Sequence, residues 1–147
     1  MALTYNSVIL PQTPRNQLQT FVEGTDAAYG YKELYSGGAD GSKVLGIVAT
    51  TNDPTVDNEL QLLFIDDNVS PPSSTPCGRY AVPNDSGDES ATPPVSLLDP
   101  DIAPFLPIDV DGNPYIYLPP NTSIQATFTA ALTASSKIMI VTFGADY

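Results

Sequence analysis

The sequence predicts an all-β fold: an antiparallel β-sandwich of about eight strands, with a jelly roll as its topology. Three observations predict it. The last thirty residues, LPPNTSIQATFTAALTASSKIMIVTFGADY, open with a strict period of two. Ile124, Ala126, Phe128, Ala130 and Leu132 share one parity, and Ser123, Gln125, Thr127, Thr129 and Thr133 the other. Side chains alternate across a strand, so this stretch buries one face and wets the other. Second, 15 prolines and 10 glycines in 147 residues argue against long helices and for many turns. Third, 41% of residues are hydrophobic and they fall in short runs, with no sustained helical period and no internal repeat.

The length predicts one domain. Residues 1–25 read as an N-terminal arm or first strand, with Pro11 and Pro14 bracketing a kinked lead-in and Leu18–Val22 able to pair. Residues 26–147 read as the sandwich. Within it, Ser36–Ser42 (SGGADGS) is a turn, Lys43–Thr51 a strand, Asn52–Asn58 a turn and Leu60–Ile65 a buried strand stopped by Asp66-Asp67-Asn68. Residues 69–95 hold six prolines and read as a loop insertion. Arg79–Val82 is a short strand inside it, and 83–94 an exposed loop. Leu97, Leu98, Ile102, Phe105, Leu106 and Ile108 predict irregular cover over one end of the core. Tyr115–Leu118 is a short strand closed by Pro119-Pro120-Asn121-Thr122. Ile138–Phe143 is apolar on both parities apart from Thr142, which predicts a strand covered on both faces. With Thr133–Ser136 as its turn, the C-terminal stretch reads as a long hairpin forming a central pair of one sheet.

The chemistry is limited by composition. There is no histidine, which removes imidazole-based triads and metal sites and the usual neutral-pH proton carrier. Five Lys and Arg against 17 Asp and Glu give a formal charge of −12, which opposes binding to nucleic acid and to anionic membrane surfaces. Cys77 is the single cysteine, and without histidine it reads as a small idle thiol rather than a nucleophile. The first residues lack a basic region and a long apolar run, so the expectation is a protein made and folded in a cytoplasm. Asp109, Asp111 and Asn113 have the alternating spacing of a calcium loop. Gly112 comes too early, Pro114 stands at the glycine position and no Glu closes the loop, so a turn is the favoured reading and a bridging calcium the alternative. Asp66, Asp67, Asp99 and Asp101 are paired carboxylates that read as a solvated acidic rim rather than a hydrolytic pair. No phosphate-binding glycine loop is present. The expectation is a protein that is not an enzyme and carries no cofactor. Tyr29, Tyr31, Tyr35, Tyr115, Tyr117 and Tyr147 fall near turns and strand ends, where they either cap the core or serve an interface.

Three stretches carry a family resemblance: ELYSGGADGSKVLGIVATTND, LQLLFID, and the segment from Pro104 to Tyr147 with its PFLPIDVDGNPYIYLPP and closing VTFGADY. Together, at roughly residues 33–67 and 104–147, they resemble head decoration (cement) proteins of tailed bacteriophages. The resemblance implies a sandwich on the outer capsid surface of the virion, made in the host bacterial cytoplasm. Its partners would be the major capsid protein and itself, as a homotrimer. The expected contact residues are Tyr29, Tyr31 and Tyr35, the arm around Val8, Ile9 and Leu10, and the region of Pro119 and Tyr147. The alternative is a carbohydrate- or receptor-binding module of a phage head or tail, using Tyr29–Tyr35 and the 83–94 loop.

Overall fold

The computed structural model describes residues 11, 13–89, 91–104 and 106–147. They form nine strands and no helix. The strands are β1 (Thr13–Val22), β2 (Tyr31–Ser36), β3 (Ser42–Thr51), β4 (Asn58–Asp66), β5 (Ser73–Val82), β6 (Val95–Ser96), β7 (Ile116–Leu118), β8 (Thr122–Phe128) and β9 (Lys137–Asp146). Sheet A has the order β1-β9-β3-β6, with β7 also on β3, and sheet B the order β2-β8-β4-β5. All pairings between these strands are antiparallel. The two sheets pack face to face as a sandwich.

The order is that of a jelly roll. The chain runs out through β1 to β4 and returns through β5 to β9, and each outgoing strand lies beside a returning one: β1 with β9, β2 with β8, β3 with β6 and β7, β4 with β5. The ninth strand arises because the member beside β3 is split: β6 and β7 hold two and three residues and the 97–115 segment loops out between them.

This topology corrects the terminal hairpin. β8 and β9 are each central, but β8 lies in sheet B and β9 in sheet A. The chain between them crosses the sandwich, because it is stapled to a different connection. Asn58 holds Thr129 and Ala130, and Asp53 holds Thr133. The burial of the two strands is also the reverse of the expectation. β8 is buried on both parities apart from Gln125. β9 alternates, with Ile138, Ile140 and Thr142 buried inward and Met139, Val141 and Phe143 facing out. Small Ser123 and Thr127 on β8 are shielded by neighbours on both sides, β2 and β4. The outer side of sheet A has no layer over it among the described residues.

Two strands are longer than read. β1 begins at Thr13, so Pro14 sits within an edge strand, opposite Ala145; Val8, Ile9 and Leu10 lie outside the described residues. β5 occupies the middle of the proline-rich stretch with ten residues rather than four. Pro76 broke the pattern, yet an edge strand tolerates a residue without an N–H. The register shifts between Leu62 and Leu63, which makes Cys77 the extra residue of a bulge. The 83–94 loop is not simply exposed: Ser86 is fully buried, its N–H, C=O and hydroxyl bonding to Pro83, Thr51 and Pro93. Of the predicted cover, Leu97, Leu98 and Leu106 are buried, Ile102 and Ile108 are exposed, and Phe105 lies outside the described residues.

The core is built from inward parities of both sheets. Phe21 of β1 and Phe128 of β8 meet across the sandwich at 5.0 Å between centroids, with Ile47, Leu60, Ile124 and Ile140 buried around them. One open side is closed by β1 and β2. The Arg15 guanidinium stacks 4.3 Å from the Tyr35 ring centroid, pairs with Asp146 at 3.1 Å and donates to the Ser36 carbonyl. Tyr35 returns a hydrogen bond to the Arg15 carbonyl at 3.1 Å, and Ser42 bridges to Asp146 at 2.5 Å. Lys32 donates to the Thr20 carbonyl at 2.6 Å. These contacts tie β1 of one sheet to β2 of the other along this open side. Arg15→Ala is expected to lower stability by about 1–2 kcal/mol in urea unfolding, a modest loss because both partners remain partly solvated. Arg15→Lys should recover little of it, since an ammonium neither stacks flat nor reaches two acceptors as a fork.

Candidate functional site

The predicted contact residues do not converge. β1 runs from the Asp146 end of the sandwich to the Lys137 end, a span of roughly 30 Å at strand rise. Tyr29 and Tyr31, 66% and 57% exposed, lie at the Lys137 end. Tyr29 has φ 67°, a conformation uncommon for an aromatic residue, and is held there by its N–H bond to the Phe128 carbonyl. Pro119 and Tyr147 lie at the opposite end, against Gly37 and Gly41. Tyr147 packs edge-on to Tyr117 at 5.8 Å, and burial with the neighbouring Tyr117 and Tyr115 pushes its phenol pKa up.

Tyr35 is a core residue, not a surface anchor. A bulge in β2 makes Leu34 an extra residue, so Tyr31 and Glu33 face out while Tyr35 turns in and is fully buried. Its hydroxyl occupies the space over Gly144, where a Cβ would lie 2.7 Å away.

The Asp109–Asn113 stretch is a closed turn. The Asp109 carboxylate accepts the N–H groups of Asp111 and Asn113 at 3.0 and 2.9 Å. The Gly112 N–H bonds the Asp109 carbonyl, and Lys43 stands 4.0 Å from the second carboxylate oxygen. The Asn113 amide leads the causes that hold the Asp109 pKa below the ordinary carboxylate value, with Asp111 and Lys43 adding to it against a burial effect. Among the described residues, no group of three or more Cys, Asp or Glu is placed to hold a metal ion.

The surface that sequence reasoning missed is the outer face of sheet A. Asn16, Leu18, Thr20 and Val22 of β1 stand beside Phe143, Val141, Met139 and Lys137 of β9, which stand beside Gly46, Val48 and Thr50 of β3. Leu45 is the extra residue of a bulge in β3 and joins this face. Leu18 is 63% exposed, Leu45 50% and Phe143 42%. Acidic residues number 17 in the chain, and none lies on the outward parity of these three strands. The outer face of sheet B differs: it carries Glu33, Gln61 and Gln125, with Arg79 paired to Glu59 at 3.2 Å. The signal for the apolar face was present in Ile138–Phe143, where apolar residues on both parities were read as double burial.

The arrangement offers a broad, largely apolar surface for contact. Compared with known protein families and with curated proteins, the chain matches none.

Proposed function

We propose that this chain is a structural virion protein, a decoration or cement protein that docks on the outer surface of an assembled phage head and stabilises it without catalysis. The observation that carries the reading is the outer face of sheet A. In a chain of charge −12, the three strands present leucine, valine, methionine and phenylalanine and no carboxylate. Acids elsewhere keep the free protein soluble, and the carboxylate-free face leaves one side where a large partner is not repelled. The partner in this reading is the major capsid protein, and the chain acts as a homotrimer.

The mechanism is linkage. A protein that binds only the assembled shell stabilises it by about 2.7 kcal/mol per site at a hundredfold excess over Kd. Trimeric attachment multiplies apparent affinity by roughly 10²–10⁴ over one contact. Heads carrying the protein are expected to release DNA at a higher temperature than heads stripped of it, measured by dye access during heating. Identical release curves would refute the reading. Exposed Tyr29 and Tyr31 favour a second reading, a glycan- or receptor-binding module. Copy number separates the two: a cement is abundant in purified heads and nearly missing from isolated tails.

A further inference from the structure

Sheet B is covered unevenly. Its strands β4 and β5 run nine and ten residues, but the facing members of sheet A, β6 and β7, hold only two and three. The inner side chains of β4 and β5 therefore meet described residues of the irregular 97–115 segment and the start of β7 rather than a long regular strand. A cavity of about 350 Å³ remains there. Leu62 and Phe64 of β4 and Cys77 and Tyr80 of β5 form one wall, and Leu106 and Ile116 the other. Exposed Pro107 and Tyr117 flank its mouth.

Two features show more than loose packing. The volume falls in the range of small-molecule sites, about 300–1,000 Å³, and the lining is apolar. Tyr80 is 1% exposed, and its hydroxyl, which makes no hydrogen bond among the described residues, is not fully sealed off. The hydroxyl is free to hydrogen-bond a ligand in the cavity that Tyr80 lines. The ring lies across Gly78, where a Cβ would stand 2.9–3.1 Å from its Cε2, OH and Cζ atoms, so the backbone holds the phenol in place.

We infer that this cavity is a binding site for a small, neutral, mostly apolar molecule bearing one hydrogen-bonding group, such as an aliphatic alcohol. The apolar walls take the chain and the Tyr80 hydroxyl takes the head. A carboxylate head is excluded. No lysine or arginine lines the cavity among the described residues, and Asp99 is close enough to bear on Tyr80. Burial raises the Tyr80 pKa first, with Cys77 and Asp99 adding to it, and burial likewise raises that of the Cys77 thiol. Both groups are therefore neutral at pH 7.

The test uses the full chain free in solution, with 1-octanol and octanoate as probes in titration calorimetry. Octanol is expected to bind saturably, with octanoate at least tenfold weaker. Saturating octanol should also slow modification of Cys77 by a neutral maleimide, because the thiol lines the same cavity. Tyr80→Phe should retain the fold and weaken octanol by roughly 2- to 12-fold, the range of one neutral hydrogen bond. Ile116→Phe, at a half-buried position, should fill the cavity and abolish binding, with circular dichroism reporting that the sheets persist. Absence of saturable octanol binding overturns the inference. So does octanoate binding as tightly as octanol, or full binding by a folded Ile116→Phe chain.

Discussion

Asp53→Ala is expected to lower the stability of the fold by about 2–3 kcal/mol, the cost of losing hydrogen bonds to a charged acceptor. Asp53 is fully buried in the connection from β3 to β4. One carboxylate oxygen accepts the N–H groups of Thr55 and Val56 at 3.1 and 3.0 Å and the Thr133 hydroxyl at 2.9 Å. The other accepts the Thr133 N–H at 2.8 Å. Its carbonyl accepts the Asp85 N–H, so one residue ties three connections together. Alanine would leave these part-buried donors without their shared acceptor.

The same site sets a pH dependence. Burial pushes the Asp53 pKa up, but the donors from Thr133, Thr55 and Val56 outweigh it and the net shift is downward. A depressed folded-state pKa contributes stability that is fully present above the unfolded value, about 3.9, and is lost as pH falls through the folded value. Asp26 has a lowered pKa as well, where Lys32 and the Val22 N–H outweigh burial. Both therefore belong to the acid limb. Urea unfolding of the chain and of Asp53→Asn between pH 7 and pH 3 should show the gap between them shrinking as pH falls. A gap that is constant with pH would mean that the Asp53 charge is not what holds the three connections.

The second large effect concerns docking. Leu18→Glu combined with Leu45→Glu is expected to weaken attachment to assembled heads by roughly 30- to 1,000-fold, the range for losing contacts worth about 2–4 kcal/mol. Each glutamate places a carboxylate on strands whose outward positions carry none, and burying it against a partner without a counter-charge adds to the loss. Both leucines are at least half exposed, so the free protein should change by only about 0.5 kcal/mol. Gln61→Glu, on the outer parity of sheet B, is the matched control and should co-sediment with heads normally. Equal attachment of the double variant and the control would move the docking surface elsewhere.

The sequence carried much of the local structure and little of the site. Turn residues marked where strands end: Ser36 to Ser42, Asn52 to Asn58 and Asp66 to Asn68 separate strands as read. Pro76 hid β5, because a residue without an N–H gives no hint that its strand lies at an edge. The tyrosines were read by spacing, and the extra residue at Leu34 inverted the parity between Tyr31 and Tyr35. A bulge depends on the partner strand, so it leaves no mark in the spacing itself.

What the sequence determined alone was the class: an all-β chain of short strands, acidic and without histidine, because period-two patterning, proline content and charge are properties of residues. Only the tertiary structure decided which sheet each strand joins and which faces stay open. β8 and β9 show why. Alternation fixes that a strand has two faces, while the layer that covers each face comes from residues far away in the chain. Asp53 and Asn58 send the chain across the sandwich between those strands, and so Met139, Val141 and Phe143 end on a surface that no described residue covers.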